Sequence, residues 1–288
     1  MRLRGGVTAS LWTRNLGPYE LPTVISVILT TYQRRELVAR ALASVVAQTM
    51  AAGEVIVVDD GSTDGTATFL RQQPIQLVRV PHSGNPAVTR NAGLDRARGD
   101  AIAFLDSDDT LRPTALEQLS AALHAHPAAG FAYGDYEPDA DPRPLVPPVG
   151  DIFDHLLESD FLVTGAVLFR RSLLSAVGPL DPSCSPAEDW DYWLRLAARA
   201  DAVHVARTVI DIGITADSVS RAPGGSMYAA NLRLTRKALR WCHAHRPESI
   251  ALARRIHRRS ALAAARYHWQ RRAIAQTVQD LAMVARVR

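Results

Sequence analysis

The chain has 288 residues, 47% of them hydrophobic and 22% charged, with a net charge of +4. This is an ordinary globular composition with enough apolar material for one large or two smaller domains. Its two cysteines, Cys184 and Cys242, match no metal-ligand spacing and form no disulfide framework, which points to a reducing compartment. No stretch reaches the 18 or so apolar residues of a membrane span, and Met1 to Glu20 carries Arg2, Arg4 and Arg14 without an apolar run of signal-peptide length. Residues 1–22 are expected to be a loose leader and the chain cytoplasmic. Charge is divided unevenly: Ser226 to Arg288 holds 14 Lys plus Arg against Glu248 and Asp280, a balance of +12, which leaves −8 on the other 225 residues. An acidic body with a basic tail implies two regions with different tasks.

In chain order, Val24 to Thr30 is β-branched and reads as a buried strand. Glu36 to Gln48 spaces Leu37, Ala41, Leu42, Val45 and Val46 as a helix does. Val55 to Val58 is a second buried strand, ending in the turn chemistry of Asp59-Asp60-Gly61-Ser62-Thr63-Asp64-Gly65. A helix over Thr66 to Arg71, a strand over Leu77 to Val80 and a helix over Pro86 to Arg98 follow. Ala101 to Leu105 is then a short core strand that runs into Asp106-Ser107-Asp108-Asp109, with a helix expected from about Pro113. This alternation predicts an α/β fold with a mostly parallel, Rossmann-like sheet and helices on both faces, an architecture that binds nucleotides but does not itself give a function.

Beyond residue 130 the pattern loosens. The five prolines of Pro138 to Pro148 mark a loop, followed by a short helix near Ile152 to Leu157 and a strand near Ala166 to Arg170. Ser185 with Glu188 three residues on reads as a capping box, with Pro186 at the first helical position and a helix to about Ala198. From Gly224 onward the chain reads as long basic helices.

The chemistry gathers at the strand ends. Three carboxylates leaving one buried strand need a cation, and hard ions such as magnesium or manganese take oxygen ligands while keeping positions open for phosphate. In isolation the same residues also suit a solvated turn. Thr30, Tyr32, Asp60, Asp106 and Asp108 all fall at or just beyond carboxyl ends of successive strands, where open α/β sheets bind ligands. Tyr32 offers a flat face for a base and Asp60 an acceptor suited to the ring N–H of a pyrimidine. Asp189 is either a carboxylate favoured by the first turn of its helix or a reactive group. With Glu188 in the capping box, Asp189 is the carboxylate free to project into the cleft. Asp191 is expected to be solvated, Trp190, Tyr192 and Trp193 to be core, and His82 to be structural or solvated.

The ordered segments Val-Ile-Leu-Thr-Thr-Tyr (27–32), Val-Val-Asp-Asp-Gly-Ser-Thr-Asp-Gly-Thr (57–66), Thr-Arg-Asn-Ala-Gly-Leu (89–94), Phe-Leu-Asp-Ser-Asp-Asp (104–109) and Glu-Asp-Trp-Asp-Tyr-Trp (188–193) resemble glycosyltransferase family 2 over about residues 23 to 200. Those are inverting enzymes of the GT-A nucleotide-diphospho-sugar transferase fold. The resemblance implies transfer of a sugar from a nucleotide-diphosphate donor with inversion at the anomeric carbon. It implies Thr30, Tyr32 and Asp60 on the base and ribose, Arg90 near the donor phosphates and Asp106 on the ribose. It implies Asp108 as a ligand of a divalent metal (Mn2+ or Mg2+), Asp109 as a second candidate ligand, and Asp189 as catalytic base. Asp60 favours a UDP-sugar. One departure stands out: family members often carry a histidine after the base helix that completes the metal site, and Asp211 to Ser218 contains none. Asp211 or Asp217 is a substitute candidate, or else Asp108 and phosphates hold the metal alone.

The expected organisation is a leader (1–22), a nucleotide-sugar half (23–130), an acceptor and catalytic-base half of the same domain (131–222) and a basic helical extension (223–288). The extension is expected to pack on the body or on a second subunit, to rest on anionic lipid at the inner face of a membrane, or to contact an anionic acceptor. No nucleic-acid motif accompanies its charge. Two rival readings are a sugar-1-phosphate nucleotidyltransferase, which would want a Gly-rich loop after the first strand, and a non-catalytic nucleotide-sugar binder.

Overall fold

The computed structural model describes residues 19, 24–138, 146–213 and 224–285. The expected leader apart from Tyr19, most of the proline loop and Asp217 lie outside the described residues. The apolar runs form β1 (Ile25–Thr31), β2 (Glu54–Asp59), β3 (Gln76–Arg79) and β4 (Ala101–Asp106), parallel neighbours in the order β3-β2-β1-β4. Their connections are α1 (Arg35–Val46), α2 (Thr66–Leu70) and α3 (Pro86–Leu94). The Asn85 side chain caps α3 by accepting from the Ala87 amide at 3.0 Å. That helix stops before the expected Arg98 in a tightened last turn, where the Arg96 amide donates to the Gly93 carbonyl and the Ala97 amide is shared between the Gly93 and Leu94 carbonyls.

The second half of the sheet is mixed in direction. The short β5 (Thr110–Leu111) and α4 (Ala115–Ala125) lead to β6 (Ala129–Glu137), α5 (Phe153–Glu158), β7 (Val167–Arg170), α6 (Leu174–Val177), α7 (Glu188–Ala197) and β8 (Asp201–Asp211). One eight-stranded sheet results, ordered β3-β2-β1-β4-β7-β6-β8-β5. In it β7 runs antiparallel to β4 and β6, whereas β6 and β8 are parallel. β6 crosses residue 130, so the two expected halves share a sheet.

Helices cover both faces, as the alternation predicts. Ile25, Val27 and Leu29 point into a core with α1, α2 and α4, whereas Ile28 points into the core built with α3, α5 and α7. Period-two alternation in β1 thus supplies both layers. Tyr192 and Trp193 are fully buried against Phe104 and Phe169, and Trp190 donates its indole N–H to the Leu156 carbonyl at 2.7 Å. These aromatics are core.

The tail forms α8 (Gly225–His245), α9 (Ile250–Gln270) and α10 (Ile274–Ala285). It packs on the body: Ala230, Leu234, Ala238 and Cys242 of α8 and Ala253 and Ile256 of α9 belong to the same core as α5 and α7. Charge complementarity reinforces this, with Arg246 at 2.6 Å from Asp151 and Arg255 paired with Glu158. Asp191 corrects the expectation of a solvated residue. It is 3% exposed and lies between Arg195 and Lys237, each at 2.8 Å, because α8 brings Lys237 onto α7. The expected capping box also does not form. Helix α7 begins only at Glu188, after a turn in which the Ala187 amide donates to the Cys184 carbonyl, and no side chain caps it.

Lys237→Met removes one of the two cations on Asp191 and strips Asp181 of its ammonium partner. A urea melt is expected to show a loss of about 1–3 kcal/mol, less than for a fully buried pair because Lys237 is partly solvated. An unchanged midpoint would mean that Arg195 alone satisfies Asp191.

Candidate active site

Strand register builds the site. Thr30 sits opposite Asp106 across β1 and β4, and Thr31 opposite Asp59 across β1 and β2, so adjacent strands release their polar residues at one edge. There Thr30, Tyr32, Asp60, Arg90, Asp106 and Asp108 line a single cleft of about 330 Å³. Those six predicted residues are brought together. Asp109 and Asp189 are not among its lining residues: Asp109 is 6% exposed beneath the acidic turn, and Asp189 is on the first turn of α7.

Asp60 organises one end of the cleft. Its Oδ1 accepts from the amide and hydroxyl of Ser83 (2.9 and 3.0 Å), and its Oδ2 accepts from the Gly84 amide (2.9 Å). His82 Nδ1 lies 3.0 Å from the same Oδ2. The carboxylate thus holds the 82–84 loop against the end of β2. The loop in turn stacks His82 on Tyr32, ring centroids 3.9 Å apart and 14° from parallel. Tyr32 keeps 38% of its surface exposed, so a flat face remains open to the cleft.

The middle of the site is an ion network. Arg90 Nη2 bridges both oxygens of Asp106 at 2.9 Å, and Nη1 reaches Glu188 Oε1 at 2.7 Å. Burial alone would weaken the charge on Arg90, but Asp106, Glu188 and Asp189 outweigh it and hold the guanidinium firmly protonated. Burial pushes the Glu188 carboxyl up, against the pull of Arg90. Glu188 is therefore not a cap but the link between α7 and the cleft, and sequence spacing pointed to the wrong partner. Thr30 adds its hydroxyl to Asp106 at 3.2 Å.

At the acidic turn, burial and the neighbouring Asp106 raise the Asp108 pKa, opposed by Arg34, whose Nη1 is 2.9 Å from Asp108 Oδ2. Asp109 is pushed up to about 8, first by burial and then by Asp106, although it accepts the Gly213 amide at 2.9 Å. Gly213 is where the chain returns from β8 to the turn. A Cβ there would stand 1.9 Å from the Asp108 carbonyl oxygen, so no larger residue fits. Asp211, one expected substitute for a histidine ligand, pairs with Arg112 at 2.6 Å and lines a separate cleft.

Asp189 is held from both sides. Its Oδ2 accepts the Thr164 hydroxyl at 3.1 Å and its Oδ1 accepts the Trp190 amide at 2.8 Å. Each oxygen retains a lone pair for a further proton. Sequence reasoning missed Arg34, Thr164 and Gly213. Arg34, two residues past Tyr32, was the one placed to be found; Thr164 and Gly213 sit in segments without a motif.

Among the described residues, three potential metal-ligand atoms fall within 4.8 Å of one another only at Asp181, Cys184 and Asp191. There the Lys237 ammonium, 2.9 Å from Asp181 and 2.8 Å from Asp191, already supplies the cation. Burial pushes the Cys184 thiol up to about 12, which disfavours the thiolate a metal needs. This group is a structural ion pair.

Known proteins resemble this chain in sequence and in fold. The chain is 31% identical over 182 residues to the putative teichuronic acid biosynthesis glycosyltransferase TuaG of Bacillus subtilis, covering 60% of this chain and 71% of that one. It is 30% identical over 180 residues to the Escherichia coli enzyme WfgD, a UDP-Glc:alpha-D-GlcNAc-diphosphoundecaprenol beta-1,3-glucosyltransferase, covering 60% and 69% of the two chains. The fold resembles that of S. aureus TarS 1-349 in complex with UDP-GlcNAc, with a TM-score of 0.67 and 18% identity over 83% of this chain and 71% of TarS 1-349. It also resembles the mannosyltransferase PcManGT of Pyrobaculum calidifontis in complex with GDP-Man and Mn2+, with a TM-score of 0.59 and 20% identity over 95% and 88% of the two chains. Among the described residues no helix is long and apolar enough to cross a membrane. Residues 26–177, more than half of the chain, match the family model Glycosyl transferase family 2. With a GT-A-like sheet and its polar residues at one edge, the chain is a glycosyltransferase and belongs to glycosyltransferase family 2.

Proposed function

We propose that the chain transfers a sugar from a UDP-sugar to an acceptor hydroxyl with inversion, using Asp189 as base. The observation that carries this reading is the meeting of an aromatic shelf (Tyr32), an acidic strand end (Asp106 and Asp108) and, through Glu188 and Arg90, the helix that bears Asp189. Inversion is a single displacement. The acceptor oxygen bonds to the anomeric carbon as its proton passes to Asp189, and the bond to the nucleoside diphosphate breaks with its electron pair leaving on the phosphate oxygen. Tyr32 and the loop pinned by Asp60 would bound the base, and Asp106 would meet the ribose. Arg90, tied to Asp106, would stand near the diphosphate. The UDP preference draws support from the UDP-GlcNAc complex of TarS and the UDP-Glc donor in the name of WfgD.

The acidic turn fits a divalent cation. Burial and repulsion from Asp106 raise both Asp108 and Asp109, a strain that a hard cation would relieve. Asp108 borders the cleft and Asp109 lies behind it, so Asp108 would be the principal ligand of Mn2+ or Mg2+ and Asp109 the second, beside diphosphate oxygens of the donor. Such an ion would supply positive charge to the departing diphosphate. Calorimetry of UDP binding tests this directly. Manganese is expected to tighten UDP binding by at least roughly tenfold, Asp108→Ala to abolish that gain, and GDP to bind more weakly than UDP. Equal UDP affinity with and without metal would refute the metal assignment, and tighter GDP binding would refute the donor base.

A further inference from the structure

Helix α10 carries apolar side chains on two sides: inward, Met283 and Val284 pack with Leu232, Ala261 and Ala264, and outward a second aliphatic stripe is left exposed. Its inward side buries Thr277 and Asp280, the latter fully, with His268 Nδ1 of α9 at 2.7 Å from the Asp280 carboxylate. Its outward side, at i, i+4 and i+7, carries Ile274, Val278 and Leu281 with 66%, 60% and 47% of their surface exposed. Ordinary patterning would leave the outward side polar and place the aspartate on it. Helix α9 continues the pattern, with Leu262 and Trp269 one heptad apart and 48% and 67% exposed. Trp269 and Ile274 flank the turn between the two helices. Half of the ten large hydrophobic side chains exposed among the described residues thus fall within one helical hairpin, and patches of this kind mark a binding surface.

The charge around the patch says what covers it. From Ile250 to Arg288 the sequence holds nine arginines against a single acid, Asp280, which is buried. Arg258, Arg259 and Arg266 are exposed on α9, and Arg271 and Arg272 are exposed on the turn beside Trp269. Leucine, isoleucine and tryptophan ringed by arginine form the signature of a helix lying in the interface of an anionic bilayer. A second copy of the chain would instead bring two strongly basic rims together. We infer that the outward face of α9–α10 docks the enzyme on an anionic phospholipid membrane, with Trp269, Ile274, Val278 and Leu281 entering the interface and Arg271 and Arg272 meeting lipid phosphates. The active-site cleft plays no part in this inference, which stands independently of the donor and metal assignments.

Flotation of the full-length protein with phosphatidylcholine vesicles, with or without about a third phosphatidylglycerol, reads the docking directly. The wild type is expected to float with the anionic vesicles and to be released by raised salt. Trp269→Ser with Ile274→Ser, and separately Arg271→Glu with Arg272→Glu, are expected to weaken binding by roughly tenfold or more. Hydrolysis of the donor in solution should stay at the wild-type rate in both. Should a variant fail to fold, quenching of wild-type tryptophan fluorescence by brominated lipid gives the same answer. No wild-type binding to anionic vesicles overturns the inference, as does full binding by both folded variants. A concentration-dependent dimer that the serine pair dissociates, without vesicle binding, would assign the face to a second copy and also overturn it.

Discussion

Asp189→Asn is expected to lower kcat by about 10²–10⁴-fold, the usual contribution of a general base, while leaving donor affinity within about twofold of wild type. The substitution suits the test because the asparagine carbonyl can keep the Trp190 amide and its NH₂ can donate to the Thr164 hydroxyl, so the two contacts that orient Asp189 survive. Only the proposed proton acceptor is lost. Thr164→Val probes the orientation separately. It leaves the carboxylate in place but removes one of its anchors, and a smaller fall of roughly tenfold is expected, with donor binding unchanged. Turnover of Asp189→Asn at the wild-type rate would dismiss the residue as base. Asp191 offers no replacement, since it is buried between Arg195 and Lys237, and Glu188 Oε1 is bound to Arg90. Loss of donor binding together with turnover would move Asp189 from proton transfer to donor recognition.

The parallel half of the fold was legible because each of its strands is a short β-branched or apolar run closed by polar turn residues, and each connecting helix repeats at the helical period. The site followed, since strand ends mark a common edge. What escaped was non-local. β6 and β8 contain Gly130, Gly134, His204 and Arg207, which dilute the strand pattern. Both strands exist because they pair with each other, a contact about 70 residues apart in the chain that no local window contains. The same holds for charge. Ser185 and Glu188 have capping-box spacing, yet Glu188 turns to Arg90, 98 positions away, because a buried guanidinium beside Asp106 needs a second carboxylate. Asp191 was expected in solvent because nothing local announces Lys237. Asp60 keeps the acceptor character read from its sequence, but its oxygens are filled by the 82–84 loop. Its role in the proposed base site is therefore to shape the wall.

Arg90→Met is expected to destabilise the fold more than any other substitution in the cleft, by about 3–5 kcal/mol in a denaturant melt. Arg90 is 4% exposed and joins three elements: its own helix α3, the end of β4 through Asp106, and the start of α7 through Glu188. Removing it leaves the 3%-exposed Glu188 as an uncompensated charge and releases Asp106 from its only guanidinium contact among the described residues. The network is incomplete even when intact, since Arg90 Nε and Glu188 Oε2 are buried without hydrogen-bond partners among the described residues. Little slack therefore exists to absorb a missing charge. The companion substitution Glu188→Gln removes the acid most harmed by that loss. Combined with Arg90→Met, it is expected to recover part of the stability, with a coupling of about 0.5–3 kcal/mol. Strict additivity would mean that the two residues do not act as a pair. Arg90→Lys separates support from substrate contact, because a single ammonium cannot hold both Asp106 and Glu188 in the fork geometry of arginine. A folded Arg90→Lys protein with weakened UDP binding would place Arg90 on the diphosphate. The same protein with unchanged UDP affinity and reduced stability would make Arg90 the clamp that carries the base helix to the edge of the cleft.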